Sequence, residues 1–221
     1  YGYSQDLLKG HNVSEWSSHN VPNIIGIMPA VALMFREQHV SPAKELYVAK
    51  LDRNTLFMSG QRGAETAFST LSLQHKVSVA MPSVKELPWL KATRIPQNAK
   101  VFTDLNKDFI PQGKDFVVSD TGELRRNWEK GLLTIKTAKT QAAIGWLKGN
   151  PIELDQVAFD IKTPKAAVMV TSLDRKPIAV SSKMLITALG RISAQKSGWK
   201  WLALSEPVTG TIKVKHKAAA K

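Results

Sequence analysis

FVVSDTGELRRNWEKGLLTIKTAKTQAAIGW, residues 116–146, has the clearest periodicity of apolar and polar residues in the chain. Apolar and polar residues alternate up to SDTG, alternate again through ELRRNW, and resume after EKG as LLTIKT. Alternation that is bounded by Gly, Asp and Ser is typical of adjacent antiparallel strands with one buried face. The stretch therefore predicts a β-hairpin with further strands beside it.

The rest of the C-terminal half repeats this pattern in short segments with turn residues between them. The segments are IELDQVAFDIKTP, AAVMVTSLDRKP, SSKMLITALGRI, WKWLALSEP and VTGTIKVK. A spacing of roughly eight to twelve residues is expected of a sandwich or barrel. SSKMLITALGRI has good helix formers, but Leu185, Thr187 and Leu189 alternate with their neighbours between two turn clusters, which favours a strand. We therefore predict a mainly β protein, with an antiparallel β-sandwich over residues 100–221 whose first strand is Lys100–Leu105.

The N-terminal half follows other periods. Residues 1–45 are predicted as a polar loop and a helix within Asn23–His39, with Pro29 in its first turn. The 3.6-residue period of that helix buries Ala30, Leu33, Met34 and Glu37. Residues 46–99 are predicted as a mixed helix and strand connection, with a strand in KELYVAKL, a helix from about Gly63 to His75, and a crossover loop over 87–98.

The bulk composition restricts the partners. The 221 residues carry 31 basic and 18 acidic side chains, a formal net charge of +13, which favours an anionic partner. Nucleic acid is not expected, because no recognition-helix or RNA-binding signature accompanies the charge. The longest apolar run, Ile24–Phe35, is too short to span a membrane and contains a proline. With no cysteine, the chain has neither disulfides nor thiolate metal sites.

The catalytic signals are weak. Six acidic residues cluster in the middle of the chain, but their spacing marks no pair for acid–base work. Asp120-Thr121-Gly122 also occurs in aspartic proteases, which need two such loops, so we interpret it as turn chemistry. Neither a G-x-S-x-G elbow nor a glycine-rich phosphate loop is present. We expect no catalysis by this chain alone, no cofactor and no metal. The acidic residues are Asp104, Asp108, Asp115, Asp120, Glu123 and Glu129.

Aromatic residues beside hydrogen-bonding side chains are the remaining site candidates, because an aromatic face can stack on a sugar ring. One group combines Trp16, His19 and Asn20. Another is Trp199 with Trp201, which share a face if their segment is a strand, and a lone candidate is Trp89 in a loop. Trp128 and Trp146 bracket the hairpin and would form a platform if both were exposed. Packing of these tryptophans in the core is the alternative.

Four segments carry a resemblance to a known family. They are MPAVALMFREQHV, SDTGELRRNWEKGLLTIKTAKTQAAIGWL, VTSLDRKPIAVSSKMLITALGR and EPVTGTIKV. Together they span Met28–Val214 and resemble the C-terminal region of large bacterial secreted glycoside hydrolases of the clan A kind, in which a β-sandwich follows a TIM-barrel catalytic domain.

The resemblance implies that residues 1–45 are a remnant of the barrel end, with Trp16, His19 and Asn20 near the sugar cleft. It also implies a secreted or periplasmic location, a polysaccharide partner, acidic if the charge is used for binding, and a TIM-barrel partner domain. The catalytic glutamates of such enzymes lie on earlier barrel strands, which this chain lacks. We therefore expect a non-catalytic carbohydrate-binding or bracing module. The alternatives are a hydrolase fragment that completes an active site with another chain, and a basic nucleic-acid-binding domain.

Overall fold

The computed structural model describes residues 22–58, 66–198 and 200–217. Among the described residues strands greatly outnumber helices, and the sheets are largely antiparallel. This confirms the prediction of a mainly β fold with a helix near its N-terminus. The elements in chain order are α1 (Pro22–Arg36), β1 (Leu46–Lys50), α2 (Arg53–Met58), α3 (Thr66–Leu71), β2 (Lys76–Ala80), β3 (Lys100–Phe102), β4 (Phe116–Val118), β5 (Leu124–Asn127), β6 (Leu132–Lys136), β7 (Thr140–Trp146), β8 (Ile152–Glu153), β9 (Val157–Ile161), β10 (Lys165–Ser172), a 3₁₀ helix (Ile178–Val180), β11 (Met184–Leu189), β12 (Ile192–Ser197), β13 (Lys200–Ser205) and β14 (Gly210–Val214).

The chain divides into two compact units. Residues 1–40 and 128–221 form the first, here called the sandwich unit, and residues 41–127 form the second, here called the parallel unit. The sequence placed its boundaries after residues 45 and 99 instead. In the structure, the N-terminal helix belongs to the sandwich unit and residues 100–127 belong to the parallel unit.

In the sandwich unit, strands β11, β10, β7 and β6 lie side by side in antiparallel pairs. Successive side chains of a strand point to opposite faces, and Ala166, Val168 and Val170 of β10 accordingly face one core. That core also contains Val157 and Phe159 of β9, which pairs with β8 and β14 in a second sheet. Two antiparallel sheets thus enclose an aliphatic core, as the period-two pattern predicted.

Helix α1 covers part of the other face of the first sheet. Ala30 is fully buried, Leu33 and Met34 are half-buried, and Gly26 lies so close to Leu189 of β11 that an added Cβ would meet its side chain at 2.8 Å. The predicted buried side is therefore correct. The predicted start is wrong, because the helix begins at Pro22 and Pro29 lies inside it.

The parallel unit is organised differently. It contains a three-stranded sheet in the order β2-β1-β3, in which both β2 and β3 run parallel to β1. The expectation that Lys100–Leu105 opens the sandwich is wrong, because Lys100–Phe102 pairs in parallel with Tyr47–Ala49. The strand predicted in KELYVAKL is present as β1. The helix predicted over Gly63–His75 appears as the shorter α3 in the described residues.

The β4–β5 hairpin of this unit contains the Asp-Thr-Gly triplet. The Gly122 N–H donates to the Ser119 carbonyl at 2.8 Å, and Gly122 has φ +77°, a conformation that glycine adopts without a Cβ penalty. The turn interpretation of this triplet is therefore confirmed.

Candidate functional site

The predicted site residues fall mostly outside the described part of the chain. The residues outside the described part are Trp16, His19, Asn20 and Trp199. For Trp201 only the backbone is described, as part of β13. Trp89 is the one member of the predicted set whose side chain can be placed, and it is 81% exposed.

A tight turn presents Trp89. The backbones of Leu87 and Leu90 exchange hydrogen bonds of 3.3 and 3.0 Å, which leaves Pro88 and Trp89 at the tip. Glu86 lies 3.6 Å from the ammonium of Lys91 and 3.3 Å from the guanidinium of Arg94, and these pairs join the two sides of the turn. The indole of Trp89 is therefore exposed at the tip of a hydrogen-bonded turn.

Trp146, which the sequence analysis named only as flanking the hairpin, makes more contacts than Trp89. It is the last residue of β7 and is 49% exposed. Its ring lies over Gly131, where an added Cβ would come 2.4 Å from the Trp146 Cδ1 atom. The backbone N–H of Trp146 also donates a hydrogen bond to the Gly131 carbonyl at 3.1 Å. The EKG turn therefore has glycine for two reasons, a φ of +56° and the space that the indole needs.

Lys165 stands beside this indole. It opens β10 and pairs in register with Trp146 of β7, and its Nζ lies 5.7 Å from the centre of the indole ring. At that distance an ammonium is attracted by the ring face. No salt bridge of the described residues involves Lys165.

An open groove of about 410 Å³, here called the end groove, begins at Gly145 and Lys165. Its walls are mainly apolar, with Ile27 of α1, Ile144 of β7 and Leu189 of β11 among them. Arg191 also lines the groove, but its guanidinium is held by the Glu206 carboxylate through hydrogen bonds of 2.8 and 3.0 Å. These hydrogen bonds lower the pKa of Glu206 and raise that of Arg191.

Three of the central acidic residues accept hydrogen bonds from backbone N–H or hydroxyl groups. Glu123 accepts from the Ser41 N–H and hydroxyl at 2.7 and 2.9 Å. Asp104 and Asp108 each accept from the backbone N–H two residues further on. None of these contacts presents two carboxylates to a common ligand.

Asp120 is the most heavily bonded of these residues. It accepts hydrogen bonds from the backbone N–H groups of Lys44 and Glu45, and its Oδ2 atom lies 3.2 Å from Nδ1 of His75. Burial alone would raise the pKa of Asp120, but the two backbone donors and His75 outweigh burial and lower it. The carboxylate therefore joins the hairpin turn to the segment before β1.

The described residues contain no group of three His, Asp or Glu side chains placed to hold a metal ion. No helix of that part of the chain is long and apolar enough to cross a membrane. Comparison of the chain with protein-family models, curated proteins and solved structures finds no match.

The sequence predicted neither the role of Lys165 nor the end groove. Alternation places a lysine at the start of β10 on one face or the other, but only the register of β7 against β10 brings it to Trp146. A sequence signal for the indole did exist in the EKG turn fifteen residues earlier, since a glycine there can accommodate a ring.

Proposed function

We propose that this chain is a non-catalytic carbohydrate-binding β-sandwich module of a polysaccharide-degrading glycoside hydrolase. The observation that carries the proposal is the half-exposed indole of Trp146, fixed over Gly131 and placed beside an open groove. An indole offers a flat apolar face to the C–H side of a sugar ring and an N–H donor at its edge. The groove volume lies within the range of roughly 300–1,000 Å³ that is usual for ligand sites.

The resemblance to the C-terminal region of clan A glycoside hydrolases supports the parent enzyme and a TIM-barrel partner domain. It also supports a secreted or periplasmic location. Bracing of a catalytic domain is the second role that the same resemblance supports, and it needs no glycan contact. The backbone hydrogen bonds that Glu123, Asp120 and Asp104 accept favour structural roles for these carboxylates, and so a module without its own hydrolytic chemistry.

Affinity electrophoresis against neutral and anionic polysaccharides tests the proposal. We expect retardation by at least one polysaccharide, and Trp146→Ala should weaken it about tenfold or more, since stacked aromatic anchors dominate such sites. Trp89→Ala is the matched exposed-tryptophan variant and should leave retardation unchanged.

If Trp89→Ala removes binding and Trp146→Ala does not, the predicted loop tryptophan is the site and the groove is not. If no polysaccharide retards the protein, the binding role fails and bracing is left. Release of reducing sugar by the purified chain would contradict the non-catalytic assignment.

A further inference from the structure

The polar lining of the end groove is unusual for a site that binds neutral sugar. Neutral sugars present hydroxyl groups, which donate as well as accept, so they pair well with amides, which do both, and with carboxylates, which accept. Among the groove-lining residues that the structure describes, the polar side chains are Lys165 and Arg191, and both are cations that only donate. The other lining side chains are aliphatic or absent.

The two cations are not equally available. Arg191 has its Nε and one terminal nitrogen bonded to Glu206, so its charge is already balanced within the protein. Lys165 is exposed, has no described ion-pair partner, and has the Trp146 ring as its aromatic neighbour. The groove lining therefore includes one uncompensated positive charge, that of Lys165, and the aromatic face beside this charge belongs to Trp146, which lies next to the lining.

The charge of the whole unit points the same way. The sandwich unit carries 18 of the basic and nine of the acidic residues, a net charge of +9 out of the total of +13. A field of one sign raises the local concentration of ligands of the opposite sign and speeds their association.

From these observations we infer that the end groove binds a polysaccharide that carries carboxylates, with a uronate ring stacked on Trp146 and its carboxylate paired with the Lys165 ammonium. A charge-assisted N–H···O bond is about twice as strong as a neutral one. The position of the Lys165 ammonium beside the Trp146 ring would make the site selective for a charged sugar over its neutral counterpart. This inference rests on the proposed carbohydrate-binding function and adds the class of glycan.

Polygalacturonate and its methyl ester are the probes, because they have the same ring and linkage and differ in charge. Titration of the intact chain by calorimetry at 50 and 200 mM salt should give binding to polygalacturonate at least tenfold tighter than to the ester. Lys165→Gln keeps most of the stem of the side chain and should lower that ratio severalfold at 200 mM salt, where the field of the whole unit is largely screened, without weakening binding to the ester. Lys213→Gln, an exposed strand lysine on the other sheet, is the matched control and should preserve the ratio.

The outcomes separate the inference from the proposed function. Equal affinity for both polymers that still depends on Trp146 would overturn the inference and leave carbohydrate binding standing. Binding to neither polymer, nor to any other glycan, would remove both. Dextran sulfate and duplex DNA test for a general polyanion surface. If either polymer binds as tightly as polygalacturonate, and Trp146→Ala does not change its affinity, positive charge alone accounts for binding and the inference is wrong.

Discussion

The two units of this protein bury different kinds of core. Fourteen of the twenty buried hydrophobic residues in the described part of the chain belong to the sandwich unit, and six belong to the parallel unit. The sandwich unit fully buries Phe159, Met169 and Ile178, whereas Leu71 is the largest fully buried apolar side chain of the parallel unit. The parallel unit adds aromatic edge contacts, such as Phe68 with Phe102, and the carboxylate of Asp120.

The two units are therefore stabilised by different interactions. Removal of apolar area from water contributes about 25 cal/mol per Å², so the sandwich depends mainly on aliphatic burial. A unit with a small apolar core depends more on each polar contact, because the loss of a buried charged partner leaves unsatisfied donors. We therefore expect the sandwich unit to respond most to cavities and the parallel unit to respond most to changes of charge.

The largest expected effect is a cavity in the sandwich core. Phe159 is 1% exposed and lies in the cluster formed by β9, β10 and β7. Phe159→Ala should lower the free energy of unfolding by about 3–5 kcal/mol, and Leu71→Ala in the parallel unit by about 2–4 kcal/mol. Chemical denaturation measures both, and Ile186→Ala on the exposed face of β11 is the control. A larger loss for Leu71→Ala than for Phe159→Ala would break the contrast between the cores.

The second effect tests the polar side of the comparison. Asp120→Asn in the parallel unit removes the charge that accepts from two backbone N–H groups and from His75, at a cost of about 2 kcal/mol at pH 7. Asp104→Asn, whose carboxylate accepts from the Asn106 N–H on the surface, is the control and should cost less than half as much.

The pH dependence of this effect has a defined sign. The pKa of Asp120 is lower in the native protein than in the unfolded chain. Its contribution is therefore complete above the unfolded pKa of about 3.9 and is lost as the pH falls through the native pKa. The stability difference between the wild type and Asp120→Asn should shrink as the pH falls below about 4. A difference that stays constant to pH 2 would show that shape, and not charge, makes the contact.

The same contrast explains which parts of the fold could be predicted. In antiparallel strands with one exposed face, alternation is written into adjacent residues, and Leu185, Thr187 and Leu189 were enough to favour a strand over a helix. The parallel pairing of Tyr47 with Lys100 joins residues 53 positions apart and leaves no local trace. Lys100–Phe102 is a strand by pattern, and only tertiary pairing shows which sheet it enters.

The candidate site was less predictable for a related reason. Exposure of a tryptophan in an alternating strand depends on which face the sheet buries, so Trp146 was no better a candidate than Trp128 from the sequence. The loop position of Trp89 indicated exposure directly. Lys165 required the register of β7 against β10, which is a long-range property.

A smaller effect comes from a polar group inside the sandwich unit. Gln38 follows the end of α1 by two residues and has φ +48°, and the next residue, His39, places its Nδ1 atom 2.9 Å from the Thr140 hydroxyl. His39 is 4% exposed, and its Nε2 has no hydrogen-bond partner among the described residues. Burial lowers the pKa of His39, the positive charge of Lys139 lowers it further, and Glu37 opposes them.

Below the unfolded pKa of about 6.5, the unfolded chain therefore binds a proton that the native protein does not. The stability of the wild type should fall from pH 6.5 to pH 5 by up to about 1.4 kcal/mol per pH unit from this group. His39→Gln should flatten that part of the curve, with His216→Gln on the C-terminal segment as the matched substitution. An unchanged slope in His39→Gln would mean that the buried ring takes up its proton without cost.

A difference of about 1 kcal/mol between two glycine variants separates backbone strain from side-chain contact at the candidate site. Gly131 and Gly149 both have positive φ, +56° and +78°, but an alanine Cβ at Gly149 would meet nothing within 4 Å. Gly149→Ala should therefore cost only the left-handed backbone penalty of about 1–2 kcal/mol. Gly131→Ala should cost the same penalty plus about 1 kcal/mol, because the Trp146 ring must leave its position.

Tryptophan fluorescence and polysaccharide retardation distinguish the two glycines at the ring itself. Gly131→Ala should shift the emission spectrum and weaken retardation, whereas Gly149→Ala should change neither. If Gly131→Ala loses stability but keeps full retardation, the ring binds glycan in more than one orientation, and Gly131 serves only the turn. If both variants behave alike, the close approach of Trp146 to Gly131 does not hold the indole, and the sandwich unit presents its tryptophan by strand position alone.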